Sequence, residues 1–437
     1  MTCRLSRLLS ALFLLLAGCW LASCSSFPNL FATPAGIPTT PSVPSELLTS
    51  TWLPATPSPS PQGPVRLRIW LPPFLSPASG DPAGILLQKR LDEFQGRNPN
   101  VIIETRLKSL EGTGGLLDSL AASSAAAPAS LPDLVALPRE LLEAAAIKGI
   151  LLPLDNLTNS FEDPDWYPYA VELAHLQSNV YGFPFAGDAL VQVYHTGQIT
   201  ESLKSWPATL GAMQPLIFPA AAENSFFTLA EYQANGGQVL DEQGRPFLDT
   251  ASLSEVYAYY RDAVQAGVMP ADVLSQMQSD DQVWEAFSQN RFNLVITWSS
   301  RYLSSVQEGV EIAQIPTPQG EPFALASGWV WGLAGRDEEK RLLAVDLAEF
   351  LTDSHFLADW SQAAGYLPAR PSSLSLWSNE ALKLTVGEIA SSARLFPPSD
   401  VIASLAGPLQ QATLLVLNGQ SDPASAAQTA ASALTSP

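Results

Sequence analysis

Between residues 65 and 137 the hydrophobic pattern switches repeatedly between a period of two and a period of about 3.6, and few architectures accommodate that alternation. Val65–Leu71 (VRLRIWL) alternates apolar and polar side chains, as a strand does. Asp81 and Pro82 supply an N-cap and a first-turn residue. Leu87, Leu91 and Phe94 then recur at i, i+4 and i+7, and Asn98-Pro99 stops the helix. Val101–Leu107 reads as the next strand, residues 115–126 as a second helix, and residues 133–137 (DLVAL) as a strand covered on both faces. Strand, helix, strand, helix, strand predicts a parallel sheet flanked by helices. The α/β order continues, with strands over residues 189–194, 292–298 and 329–334. Leu253, Val256, Tyr257, Tyr260 and Val264 line one helix face, and Leu343, Leu347, Phe350 and Leu351 another. A body of this length exceeds one ordinary sheet, so two lobes are expected.

All three cysteines, Cys3, Cys19 and Cys24, precede residue 25, so the body carries no disulfide and no thiol chemistry. Arg4 and Arg7 ahead of the apolar run 8–16 (LLSALFLLL) form a signal peptide. That run falls short of the roughly 20 residues a spanning helix needs. Leu16-Ala17-Gly18-Cys19 and Leu21-Ala22-Ser23-Cys24 each resemble the lipobox of bacterial lipoproteins, whose cysteine is acylated and becomes the first mature residue. Cys24 is the expected lipidation site, with Cys19 the alternative: Cys24 leaves no unpaired thiol outside the cytoplasm, whereas Cys19 would place Trp20 beside the lipid. Residues 1–23 are then the signal peptide and 24–64 a lipid-anchored tether. Residues 25–64 hold ten prolines among Ser, Thr and Ala, with Glu46 as the only charge, and cannot bury a core. Such a tether reaches between roughly 35 and 120 Å, depending on its stiffness.

The chain carries 22 Lys and Arg against 42 Asp and Glu, a net charge of −20, which argues against nucleic acid as a partner. Phosphate-binding, dinucleotide-binding, zinc-protease and nucleophile-elbow motifs are absent. The three histidines, His175, His195 and His355, lie far apart in sequence, and neither metal nor cofactor is expected. A glycosidase-like carboxylate pair could be drawn from so many acids, but their abundance gives it no specificity. The aromatic residues say more. Trp70 and Phe74 flank the end of the first strand, Trp298 ends another, Trp329 and Trp331 sit two apart on one sheet face, and Tyr366 follows Gly365. Rings at strand ends and loops stack on the apolar faces of sugars while polar groups meet the hydroxyls. Trp331 and Trp166 read as packing residues.

With these segments in order, the chain resembles the family 1 extracellular solute-binding proteins of bacterial ABC importers, the group that includes maltose-binding protein. The likeness runs from residue 65 to about 371. It rests on residues 94–101 (FQGRNPNV), 132–137 (PDLVAL), 149–154 (GILLPL), 180–185 (VYGFPF), 205–209 (SWPAT), 286–298 (AFSQNRFNLVITW), 327–332 (SGWVWG) and 365–370 (GYLPAR). Tyr194-His195 and Thr297 depart from the family's usual Tyr-Asn and Gly. The resemblance implies an α/β, two-lobe periplasmic-binding-protein-like fold of type II, with hinge strands and a ligand cleft between lobes. Lobe one would comprise residues 65–184 and 323–356, lobe two 185–322 and 357–437. It implies an extracytoplasmic, membrane-anchored, non-enzymatic binder that closes on a small solute, most simply a sugar or oligosaccharide, and docks on ABC permease subunits. A ligand sensor on the same fold and a membrane-tethered glycoside hydrolase are the alternatives. The implied ligand-binding residues are Trp70, Phe74, Pro138, Arg139, Asp188, Trp298, Arg301, Gly328, Trp329, Tyr366 and Arg370. The tryptophans would stack, Arg139, Asp188, Arg301 and Arg370 would hydrogen-bond, and Gly328 would let a ligand approach the backbone.

Overall fold

The computed structural model of the chain describes residues 63–434. The signal peptide, Cys19, Cys24 and the expected tether up to residue 62 lie outside the described residues. β1 (Val65–Leu71) leads to α1 (Pro82–Arg97), where Asp81 accepts the Gly84 N–H at 2.7 Å and Pro82 opens the helix, as the Asp-Pro pair predicts. β2 (Val101–Leu107), α2 (Leu116–Ala126), β3 (Leu134–Pro138) and α3 (Arg139–Ile147) follow. β1 pairs in parallel with both β2 and β3. Alternate residues of β3 enter different cores. Leu134 and Ala136 pack with Leu67, Ile69 and the α1 residues Leu87, Leu91 and Phe94, whereas Val135 and Leu137 pack with Leu116, Leu120 and Leu142 of α2 and α3. Cover on both faces is why DLVAL is continuously apolar.

After α4 (Pro168–Ala174), the hairpin of β4 (His175–Leu176) and β5 (Asn179–Val180) precedes β6 (Gly182–His195). The second half is then built from α5 (Trp206–Ala212), β7 (Leu216–Ile217), α6 (Phe226–Ala234), α7 (Thr250–Gln265), α8 (Ala271–Leu274), α9 (Asp280–Ser288), β8 (Leu294–Trp298), α10 (Ser299–Leu303) and β9 (Val310–Gln314). β10 (Ala324–Leu333), α11 (Glu338–Leu351) and α12 (Ser354–Ala364) return to the first half. α13 (Pro371–Ser375), α14 (Glu380–Ser392), β11 (Ala393–Leu395), α15 (Ser399–Leu417) and α16 (Pro423–Ala433) complete the described chain. α15 is long and apolar enough to cross a membrane, but Val401, Leu405, Leu409, Ala412 and Val416 are buried in the second core, beside Val256, Tyr257 and Tyr260 of α7.

Nine strands form one sheet in the order β2-β1-β3-β10-β6-β8-β7, with β11 beside β10 and β9 beside β6. β10 runs antiparallel to β3 and β6, and β6 antiparallel to β8 and β9, so the sheet is mixed: the predicted parallel arrangement holds for β1, β2 and β3 and returns only in the pairs β7–β8 and β10–β11. β6 spans 14 residues and serves both halves: its first part pairs with β10 and its second with β8 and β9. The register shifts between Trp329 and Val330, leaving Phe185 as the extra residue, so Phe185 and Ala186 both enter the first core. At the crossing between halves, Gly187 of β6 lies beside Gly328 of β10, and it exchanges two 2.8 Å backbone hydrogen bonds with Leu367. The three crossing segments therefore lie side by side. Gly187 is required there, because a Cβ would fall 2.4 Å from the Tyr169 hydroxyl.

Candidate functional site

Strand ends and crossing segments converge on one cavity of about 900 Å³. Pro138 ends β3 and caps α3, so Arg139 and Glu140 of the first α3 turn face inward. Trp298 ends β8 and caps α10, bringing Ser300 and Arg301. Asp188, Ser327 and Gly328 come from the crossing of β6 and β10, and Trp329 and Tyr366 continue from the crossing segments onto the first-half wall. Of the sequence-derived residues, the structure thus gathers Pro138, Arg139, Asp188, Trp298, Arg301, Gly328, Trp329 and Tyr366 around this space.

The aromatic rings fall into two groups. On the second-half wall, Phe226 and Phe396 stand 4.5 Å apart between centroids, and Trp298 lies 5.9 Å and 5.7 Å from them. On the first-half wall Phe74 meets Trp329 edge-on at 4.9 Å, and Tyr366 lies parallel to Trp360 at 6.2 Å. Burial, helped by the charge of Asp188, pushes the Tyr366 phenol up, so its hydroxyl stays a donor. The two guanidinium groups are already matched by charge. Arg139 donates from Nε to Glu143 at 2.8 Å, and Arg301 pairs with Asp281. Arg139 Nη1 also donates to the carbonyls of Glu172, Leu173 and His175 at the end of α4.

Asp188 is tied to α10. Its carboxylate accepts from the Ser299 hydroxyl at 2.8 Å and from the Ser300 N–H and hydroxyl at 2.9 and 2.6 Å. Burial pushes its pKa up to about 6 against the opposing pull of those donors. Asp188 therefore fastens the turn after Trp298 to the crossing strand and does not stand open to a hydroxylated ligand on every side.

Three sequence-derived residues lie outside this cavity, and a fourth lines it with a second constraint on its identity. Trp70 is 3% exposed and packs with Leu116, Leu120 and Val135, with Lys108 over its ring at 5.0 Å; the strand ends inside the first half, not at the cleft. Phe74 is 45% exposed and borders a separate recess of about 220 Å³, which shares Tyr366 and Ala364 with the main cavity. Arg370 is buried away from the cavity, where it donates to Thr352 O at 2.9 Å, stacks over Trp166 at 3.7 Å and pairs with Asp163 and Asp165. Gly328 lines the cavity, but a Cβ there would meet Ala186 O at 2.4 Å and Leu173 Cδ2 at 2.6 Å, so strand packing demands the glycine. Conversely, the sequence pattern did not single out Phe226 or Phe396, which begin a helix and follow a short strand, or Glu143 and Ser399. Among the described residues no group of three His, Cys, Asp or Glu side chains is placed to hold a metal ion.

Comparison with curated protein sequences gives no match. Solved structures do resemble this one. A cyclic α-maltosyl-1,6-maltose binding protein from Arthrobacter globiformis superposes with a TM-score of 0.70 at 16% identity, covering 85% of this chain and 98% of its own. The sugar-binding protein MalE of Xanthomonas citri gives 0.70 at 17% identity with the same coverage. An ABC transporter solute-binding protein from Thermotoga lettingae, bound with α-D-tagatose, gives 0.64 at 18%, again over 85% and 98%. At such identities the likeness is one of fold, the two-lobe α/β fold in which a cleft separates the lobes. The sequence profile of the bacterial extracellular solute-binding proteins matches residues 89–384, more than half of the chain, and the chain belongs to that family.

Proposed function

We infer that the cavity captures a neutral sugar or oligosaccharide by closure of two lobes and that the chain delivers it to the permease of an ABC importer. The observation that carries this reading is the pair of aromatic groups, Phe226, Trp298 and Phe396 on one wall and Trp329 and Tyr366 on the other, around one cavity rimmed by hydroxyls and carboxylates. Aromatic rings on facing walls with polar groups between them suit a saccharide. Neutralisation of Arg139 by Glu143 and of Arg301 by Asp281 disfavours an anionic guest. The sugars named with the structural neighbours point the same way.

In this reading lobe one is residues 65–186 with 328–364, and lobe two is 188–327 with 368–434. Packing of Leu357 and Trp360 with Leu87 and Leu91 supports assigning α12 to lobe one, with a last crossing later than the position 357 that the resemblance implies. Ligand contacts made to both walls only when closed shift the open and closed populations by their differential affinity. Lipidation at Cys24 and the Pro-rich tether would hold the binder at the outer face of the cell membrane. Release of the sugar intact, without chemistry, is supported by the employment of two cavity carboxylates in holding the protein together: Asp188 by α10, Glu143 by Arg139 and Ser399.

A thermal-shift screen of sugars, polyols, amino acids, polyamines and phosphodiesters tests the reading. A bound ligand at 100 times its Kd adds about 2.7 kcal/mol to stability, a shift of a few degrees. A neutral saccharide should give that shift and be recovered unchanged. Stabilisation by charged solutes alone, or turnover of the sugar, would overturn it.

A further inference from the structure

Glu143 joins the two walls of the cavity. It is 5% exposed, on α3, and both of its oxygens are engaged by protein. Oε1 accepts from Arg139 Nε at 2.8 Å, and Oε2 accepts the N–H of Ser399 at 3.1 Å and its hydroxyl at 2.8 Å. The two ends belong to different cores. α3 packs through Leu142 and Ala145 against Val135, Leu137 and Val330, whereas α15, which Ser399 begins, packs through Leu405, Leu409 and Val416 into the second core. A buried carboxylate is costly unless its lone pairs are filled. Here they are filled by a guanidinium from its own helix and by the opening of a helix across the cleft, where negative charge is favoured. Arg139 braces the arrangement through its three bonds to the end of α4.

What Ser399 holds, Phe396 feels. Only Pro397 and Pro398 separate them, and two prolines leave that link few conformations. Phe396 donates its N–H to Ala326 O at 2.9 Å and presents its ring to Phe226 and Trp298.

We propose that Glu143 is a positioning residue that clasps the cleft: by holding the first turn of α15, and Phe396 with it, against the opposite wall, it sets how far the lobes stand apart without ligand and hence how tightly they grip one. The clasp rests on the reading of this cavity as the binding site only for its effect on affinity, not for its effect on lobe separation.

Ser399→Pro is the sharpest variant. It deletes both donors at once, while proline suits the first helical position and Pro398, at φ −49° and ψ 148°, already has the extended conformation required before a proline. Ser399→Ala keeps the N–H, and Glu143→Gln keeps the shape and an acceptor, so these milder changes still report if the proline variant fails to fold. Small-angle X-ray scattering of the full chain without ligand should show a larger radius of gyration for Ser399→Pro and an intermediate one for Glu143→Gln and Ser399→Ala. Equal radii in wild type and all folded variants would overturn the clasp. With maltotriose as probe, Ser399→Pro should bind roughly tenfold more weakly, the value of a charge-assisted bond, and Ser399→Ala should recover part of the loss. Equal affinity of wild type and variants for a probe that does bind would also overturn it. If maltotriose binds none of them, the choice of sugar is at fault, and the scattering comparison alone decides the clasp.

Discussion

Trp298 illustrates how much a single side chain here is arranged by its neighbours. Its backbone caps α10, its ring leans on Phe226 and Phe396, and its indole N–H lowers the pKa of Asp280, which burial otherwise raises. A ring so fixed offers stacking area at little entropic cost. Trp298→Ala and Trp329→Ala should each weaken sugar binding by about 2 kcal/mol, some thirtyfold, with little change in melting temperature because both rings are only half-buried. Isothermal calorimetry beside a thermal melt checks this, and unchanged affinity in both would show that the sugar sits elsewhere. Glu231 presents the opposite case. It is fully buried, its Oε2 accepts from the Trp206 indole, its Oε1 has no partner, and burial raises its pKa well above the usual carboxylate range. A carboxyl raised in the folded state favours the protonated protein. Its contribution is intact below the unfolded pKa and is lost as pH climbs through the folded one. Glu231→Gln should therefore gain stability over wild type at pH 8, by about 1 to 3 kcal/mol, and the gap should close toward pH 4. A gap independent of pH, measured by denaturant titration, would remove this explanation.

At the scale of elements, the crossing strands carry the tightest constraints. Gly328→Ala would drive a methyl into Ala186 O, a backbone atom that cannot rotate away, as well as into Leu173. The variant should lose about 1 to 3 kcal/mol, as overpacked sites do, measured as a lower denaturation midpoint. If it matches wild type, the glycine has some role other than strand packing. The same strands mark where sequence patterns stop being informative. β1, α1, β2, α2 and β3 were legible because each has one periodicity and clear stop signals such as Asp81-Pro82 and Asn98-Pro99. β6 and β10 were legible only in part: each passes from one environment to another, and the bulge at Phe185 breaks the alternation that a reader of period two relies on. Trp70 misled for a related reason, since period and composition place a tryptophan near a strand end without saying that α2 covers it. Phe226 and Phe396 carry no local signal at all, because their meeting with Trp298 is made by α6, β8 and the β11–α15 link converging across long stretches of chain.

Over the whole molecule, neither half is a continuous piece of chain, and this determines how it must fold. The first half takes β10, α11 and α12 from far along the sequence: Val330 fills the core shared with α2 and α3, while Trp331, Leu333, Leu347 and Trp360 fill the core shared with α1. The second half likewise waits for α15 and α16 to cover α7, where Tyr257 OH donates to Leu409 O at 3.3 Å. With β10 between β3 and β6 in one sheet, removal of either half exposes an unpaired strand edge and an open core in the other. Residues 63–186 produced alone should consequently fail to melt cooperatively by circular dichroism, and addition of residues 324–364 in trans should restore a transition by supplying β10, α11 and α12. The intact chain, by contrast, should unfold in one transition, because loss of the β6 and β10 pairing at Gly187 and Gly328 undoes both halves together. An autonomous, cooperative melt of the 63–186 fragment would mean that its core closes without the returning segments, and the crossing strands would then be linkers between independent folds instead of a structural part of each.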